Sequence, residues 1–156
     1  MTKVSRGKRL AEAVEHSMSG PMWHGPSLAE LIGDLTPAQA SARPVKNGHT
    51  IWELVLHLAV WNEIVRKGLT EAHDPSEDEQ WPKIPESSAD AWRSAVQSMK
   101  DAHRDLAADV AELSDEAIKA HAPNRDHSVA VMIHGIIEHD AYHGGQIAML
   151  KKAVTG

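Results

Sequence analysis

Residues 50–69 read Thr50-Ile51-Trp52-Glu53-Leu54-Val55-Leu56-His57-Leu58-Ala59-Val60-Trp61-Asn62-Glu63-Ile64-Val65-Arg66-Lys67-Gly68-Leu69. Thr50 followed three residues later by Glu53 fits a capping box, in which hydroxyl and carboxylate satisfy each other's free backbone donors, so a helix begins here. Ile51, Leu54, Val55, Leu58, Trp61, Val65 and Leu69 recur every three or four positions, which predicts one apolar face along that helix. His57 lies between Leu54 and Trp61, at the edge of the face.

The same period recurs on either side, and alternating apolar runs of the strand type are few. A first helix is expected from Ser5 to Ser17, with Leu10, Ala13 and Val14 inward, ending before Gly20-Pro21. Ser27 to Asp34 forms a short piece after Pro26, and one further turn fits Pro37 to Ala40. From His73 to Glu86 the residues Asp74, Pro75, Pro82 and Pro85 leave no room for a helix, so this is a loop, long enough to cross a bundle end to end. A third helix spans Ser87 to Leu113 with Trp92, Val96, Met99, His103, Leu106, Val110 and Leu113 on one face. A loop with Pro123 and Asn124 precedes a fourth, Ser128 to Ala153, with Val129, Met132, Ile133, Ile136, Ile147 and Leu150 inward. Each stripe needs another helix to cover it, and the economical solution is an all-α four-helix bundle with long connecting loops, one domain over residues 1–156.

Composition narrows the function. Hydrophobic residues make up 42% and charged residues 24%, the balance of a soluble globule, and no run of apolar residues is long enough to span a bilayer. Cysteine is absent, which excludes disulfides, thiolate metal sites and a cysteine nucleophile and fits a reducing compartment. The net charge of −6 argues against binding nucleic acid through phosphates. Its one basic cluster, Lys3, Arg6, Lys8 and Arg9, is followed by no apolar core of a secretory signal. The expected location is the cytoplasm, with no membrane or nucleic-acid partner.

Eleven histidines are the unusual feature. Random placement of that many gives on the order of one pair at the i, i+4 spacing of helical neighbours, so such a pair alone says little. Position says more. Extending the stripe of the fourth helix past Ile136 in steps of three and four predicts apolar residues at 139 and 143, and histidines stand there instead. Two imidazoles on a buried face must find partners, since an unpartnered buried polar group costs about 1–3 kcal/mol. Either they are hydrogen-bonded core histidines or they share a divalent metal, for which spacing by four puts both side chains on one side of the helix. His57 could converge on them from its own helix, and three histidines would leave coordination positions open for water or substrate.

The segment from His49 to Glu63, with Glu138-His139-Asp140-Ala141-Tyr142-His143-Gly144-Gly145-Gln146-Ile147 and the earlier Trp23-His24-Gly25-Pro26-Ser27-Leu28, resembles the DinB/YfiT-like metalloenzymes. That resemblance implies a four-helix bundle of crossover topology and a divalent metal, usually nickel or zinc, held by His57, His139 and His143. It also implies a homodimer, and its characterised members include transferases and isomerases that use low-molecular-weight thiols such as bacillithiol or mycothiol.

A divalent ion lowers the pKa of a bound water or thiol toward neutrality and so supplies a nucleophile. With no cysteine in the chain, a thiol would arrive as cosubstrate. The expected activity is thiol-dependent S-transfer to a small electrophilic molecule, and the alternative activity is metal-dependent hydrolysis. The non-enzymatic alternative is a metal-stabilised bundle that dimerises or binds a partner. Further candidates are Glu53, one turn before His57, as a carboxylate that orients the free ring nitrogen of His57 or as a residue already explained by its cap; Asp140, as a base, an orienting carboxylate or a surface ion pair; Gln146, as a donor to substrate or water or a solvent-facing amide; and His103, as a fourth ligand, an acid-base group or a satisfied core histidine. Trp52, Trp61 and Trp92 read as core packing, and His16, His24, His49, His73, His121, His127 and His134 receive no role.

Overall fold

A computed structural model describes residues 4–156, so Lys3 of the basic cluster lies outside the described residues. Four long helices carry the fold: α1 (Arg6–Ser19), α4 (Ile51–Gly68), α6 (Ala89–Ala111) and α8 (Val129–Thr155). Four short ones punctuate the connections: α2 (Leu28–Ile32), α3 (Pro37–Ser41), α5 (Glu77–Gln80) and α7 (Asp115–Lys119). Among the described residues there is no β-strand, and no helix is long and apolar enough to cross a membrane.

The helices start where side chains can cap them. Ser5, Thr36, Thr50, Ser76, Ser88, Ser114 and Ser128 each accept a hydrogen bond from a backbone N–H of the first turn. Such a cap contributes about 1 kcal/mol. The capping box of α4 is closed from both sides: Glu53 N–H donates to Thr50 Oγ1 at 3.1 Å, and Thr50 N–H donates to Glu53 Oε2 at 2.8 Å.

Two of these short helices depart from the reading of the sequence. The stretch from His73 to Glu86 holds the single turn α5, because residues 76–81 are free of proline and start with a Ser76 cap followed by Glu77, Asp78 and Glu79 at the electropositive helix start. The stretch before Pro123 likewise holds α7, built on the Ser114 cap and pinned by the fully buried Ile118.

Around the bundle the order is α1, α6, α4, α8, so α1 lies diagonally opposite α4, and α6 opposite α8. Side-chain contacts fix the directions. Trp52 meets Trp92 near the starts of α4 and α6, and Arg66 pairs with Asp109 near their ends, so these neighbours run parallel. A Cβ on Gly7 would come within 2.8 Å of the Val110 carbonyl oxygen and 2.9 Å of that of Leu113, which places the start of α1 against the end of α6. Met132 of α8 touches Gly68 at the end of α4. The long helices thus run up, down, down and up. Because α4 and α6 are parallel neighbours, residues 69–88 return along the full length of the bundle as a strap, and α5 rests on α4 in passing.

The core is in two parts. One apolar cluster holds Trp52, Leu54, Leu58, Trp92, Met99 and Ile147; the other holds Leu10, Val14, Leu106, Val110, Ile133 and Ile136. Between them lies a layer of buried polar side chains, one from each long helix: Ser17, Asn62, His103 and Asp140, all at most 3% exposed.

Candidate metal centre

His57 on α4 and His139 and His143 on α8 come together at mid-height under the strap. One ring nitrogen from each lies within 4.8 Å of the others. His139 Nε2 is 3.2 Å from His57 Nε2 and 3.1 Å from His143 Nε2. His57 and His143 are buried, and His139 is half-buried.

The far side of two rings decides their tautomers. His57 Nδ1 lies 2.7 Å from the Gln80 carbonyl oxygen, which only accepts, so Nδ1 carries the hydrogen and Nε2 of the neutral ring carries a lone pair. His143 Nδ1 donates in the same way to Gln146 Oε1 at 2.6 Å, and Gln146 Nε2 donates in turn to the Tyr142 hydroxyl at 3.3 Å. Trp81 on the strap stacks on the His57 ring at 3.8 Å and on the His49 ring at 3.6 Å, so its indole sits between two imidazoles and shields His57 from water.

Electrostatics keeps the rings neutral. Burial, and to a lesser degree the neighbouring imidazoles, push His57 and His139 down to about 4, and burial lowers His143 as well. With His57 and His143 both presenting lone pairs, the one hydrogen available on His139 Nε2 can satisfy one of the two close contacts. The other would set lone pair against lone pair at hydrogen-bonding distance. A cation accepts all three pairs at once, and nitrogen donors of this kind suit nickel, zinc, copper and cobalt. The residues therefore fit a divalent metal.

Of the remaining candidates, Gln146 joins this cluster by accepting from His143, while its half-buried amide also borders an open cleft. Glu53 does not join it: besides the cap, its carboxylate pairs with Arg43 at 2.6 Å and lies 3.6 Å from His49. Asp140 and His103 face the other way, into the polar layer. His103 Nε2 donates to Asp140 Oδ2 at 3.1 Å and His103 Nδ1 to the Met99 carbonyl at 2.8 Å, which makes His103 a satisfied core histidine. Burial pushes its pKa down, but the Asp140 charge and these two hydrogen bonds outweigh it and hold the imidazole above the ordinary histidine value. Asp140 is thus a buried partner of His103, not a surface ion pair.

The stripe of α8 keeps the expected Val129, Ile133, Ile136, His143, Ile147 and Leu150 and departs at one step, where Asp140 takes the inward place expected at 139. Met132 and His139 sit at its edge, half-buried. Trp52 and Trp92 are core residues, while Trp61 is half-buried with its ring 5.6 Å from that of His139.

Four residues of the site escaped the sequence reading. Gln80 and Trp81 lie in a proline-rich connection with no period to place them. Asn62 and Ser17 were open to the logic that singled out His139, a polar residue on an apolar stripe: Asn62 is four after Leu58, and Ser17 is three after Val14.

Two clefts flank the cluster. One of about 490 Å³ is bounded by Val45, Leu54, Met149 and Leu150 with His49 and Gln146 at its edge, and no carboxylate or permanent cation faces it. The other, of about 500 Å³, lies past Trp61 and Gln80 and is lined by charged groups including Asp74 and Arg125.

Comparison with known proteins agrees with this architecture. The model of the DinB superfamily matches residues 23–147. No curated protein matches the chain. A solved structure described as "YfiT from Bacillus subtilis is a probable metal-dependent hydrolase with an unusual four-helix bundle topology" superposes with a TM-score of 0.71 at 17% identity, covering 97% of this chain and 90% of that one. At that identity the likeness shows the fold.

Proposed function

The chain belongs to the DinB superfamily, and from that premise we propose that it is a divalent-metal enzyme acting on a small molecule, with His57, His139 and His143 holding the ion. The observation that carries this is the proton shortage of the cluster: three neutral rings, two with tautomers fixed from outside, turn their nitrogens on one point. Nickel or zinc there would act as a Lewis acid that makes a water or a thiol nucleophilic at neutral pH.

The protein's own groups do the rest. The Gln80 carbonyl and the Gln146 amide hold the hydrogens of His57 and His143 on their Nδ1 atoms. Trp81 keeps water from the face of His57. The uncharged cleft beside Gln146 suits the apolar body of a substrate, and the charged cleft beyond Trp61 suits a polar cosubstrate. Two unlike clefts favour transfer between two small molecules, with a low-molecular-weight thiol as donor in a chain that has no cysteine. Hydrolysis is the second reading, supported by the description of the structurally similar YfiT.

The working form in this proposal is a cytoplasmic homodimer of single-domain chains. The exposed Val131, Tyr142 and Met149 along the outer side of α8 support the dimer.

The test starts with untagged protein and elemental mass spectrometry. Near one equivalent of nickel or zinc, lost in the His57→Ala, His139→Ala, His143→Ala triple variant, is the expected result. Loaded protein is then assayed for consumption of 1-chloro-2,4-dinitrobenzene with and without a small thiol, and for hydrolysis of 4-nitrophenyl esters. Failure of the native protein to take up any divalent metal would sink the proposal and favour a partner-binding bundle.

A further inference from the structure

The polar layer in the middle of the bundle has a cost that apolar packing would avoid. Asp140 Oδ2 accepts from Ser17 Oγ of α1 at 2.7 Å and from His103 Nε2 of α6 at 3.1 Å, while its Oδ1 accepts from Asn62 Nδ2 of α4 at 3.3 Å. One carboxylate thus takes a donor from each of the other three long helices. Asn62 Nδ2 also donates to the Leu58 carbonyl, and Asn62 Oδ1 is buried without a partner. Ion pairs of this depth add little net stability over well-packed apolar residues, and their best-attested use is to select one register.

Position on α8 shows what register is at stake. Asp140 follows His139 directly and precedes His143 by three. At about 100° per residue, the two histidines project to the same side of Asp140, roughly 100° and 60° away from it. A turn of α8 about its axis would carry both rings away from His57 together. Ile136 and Ile147, near Asp140 on the buried face, pack without direction and resist such a turn weakly. A carboxylate bonded to three helices resists it strongly.

We propose that Asp140 is a positioning residue for the metal centre, which, held by Ser17, Asn62 and His103, sets the rotation of α8 that aims His139 and His143 at His57. The inference rests on the metal-binding reading above and adds how the ligand set is held.

The test uses the full-length untagged protein and Co²⁺ alone as the probe, read by visible absorption and by titration. His103→Gln is the informative variant, because it loosens the tether and leaves the Asp140 charge beside the metal site. Expected are a loss of Co²⁺ affinity of about tenfold or more and changed intensity of the Co²⁺ bands, with helical circular dichroism retained. Ser17→Ala, a milder change on another helix, is expected to move both readouts in the same direction by less, and it decides the matter if His103→Gln does not fold. Unchanged affinity and spectrum in the variants that fold would overturn the inference while the metal reading stood. No Co²⁺, Zn²⁺ or Ni²⁺ binding by the unaltered protein would overturn both.

Discussion

His57 and His143 are each held from outside the cluster by a partner the other lacks, Gln80 and Gln146, so substitutions around them separate their contributions. Trp81 owes its place to stacking between His49 and His57. Burial is the largest cause of the low His57 pKa, so Trp81→Ala is expected to raise that pKa from about 4 toward the ordinary value, read by NMR titration of the metal-free protein. The same depression has a stability consequence. In the unfolded chain His57 and His139 take up protons near pH 6.5, whereas in the folded chain they resist until about pH 4. Metal-free protein is therefore expected to lose stability as pH falls from about 6.5 to 4, with unfolding taking up about two protons from these residues. Thermal melts across that window check it, and a flat profile would contradict the assigned environment. His57 and His143 were legible from the sequence because imidazoles interrupted or bordered apolar stripes. Gln80 and Trp81 were not, because stacking and a carbonyl bond across the strap leave no trace in local periodicity.

Helices announce themselves by caps and period, and here most of the elements were readable on those grounds. The box at Thr50 and Glu53 forms as expected, and Thr50→Ala is expected to cost about 1 kcal/mol, seen as a lower melting temperature with unchanged secondary structure. The short α5 and α7 were less visible, since one turn offers no period and only its cap can signal it. A second element-scale constraint is the approach of α1 to the end of α6. The carbonyls facing Gly7 belong to backbone that cannot step aside, so Gly7→Ala is expected to destabilise by about 1–3 kcal/mol, more than an exposed helical glycine such as Gly145, where nothing lies within 4 Å. The single step at which Asp140, not position 139, turns inward on α8 shows the limit of period alone. A stripe continues equally well by steps of three or four, and packing of Asp140 against three helices decides which is taken.

At the scale of the whole molecule, four stripes were enough to call for a bundle, but the order of helices around it lies in contacts between residues far apart in sequence. Only the length of the 73–86 loop hinted that it runs end to end, and only the structure shows that α4 and α6 are parallel. That arrangement divides the chain oddly. The first half, up to the strap, contributes α1 and α4, and the second contributes α6 and α8, yet each long helix packs on the two helices of the other half and lies diagonally from its own companion. Neither half holds a core by itself. Cutting the strap between α4 and α5 is therefore expected to leave two fragments that stay paired and melt together, at a temperature that falls on dilution, whereas the melting of the intact chain does not. In the language of assembly, the protein is a heterodimer on one tether, whose strap makes the association of the two members intramolecular. His57 sits on one member and His139 with His143 on the other, so an ion held by all three, as proposed, would also clasp the two members together.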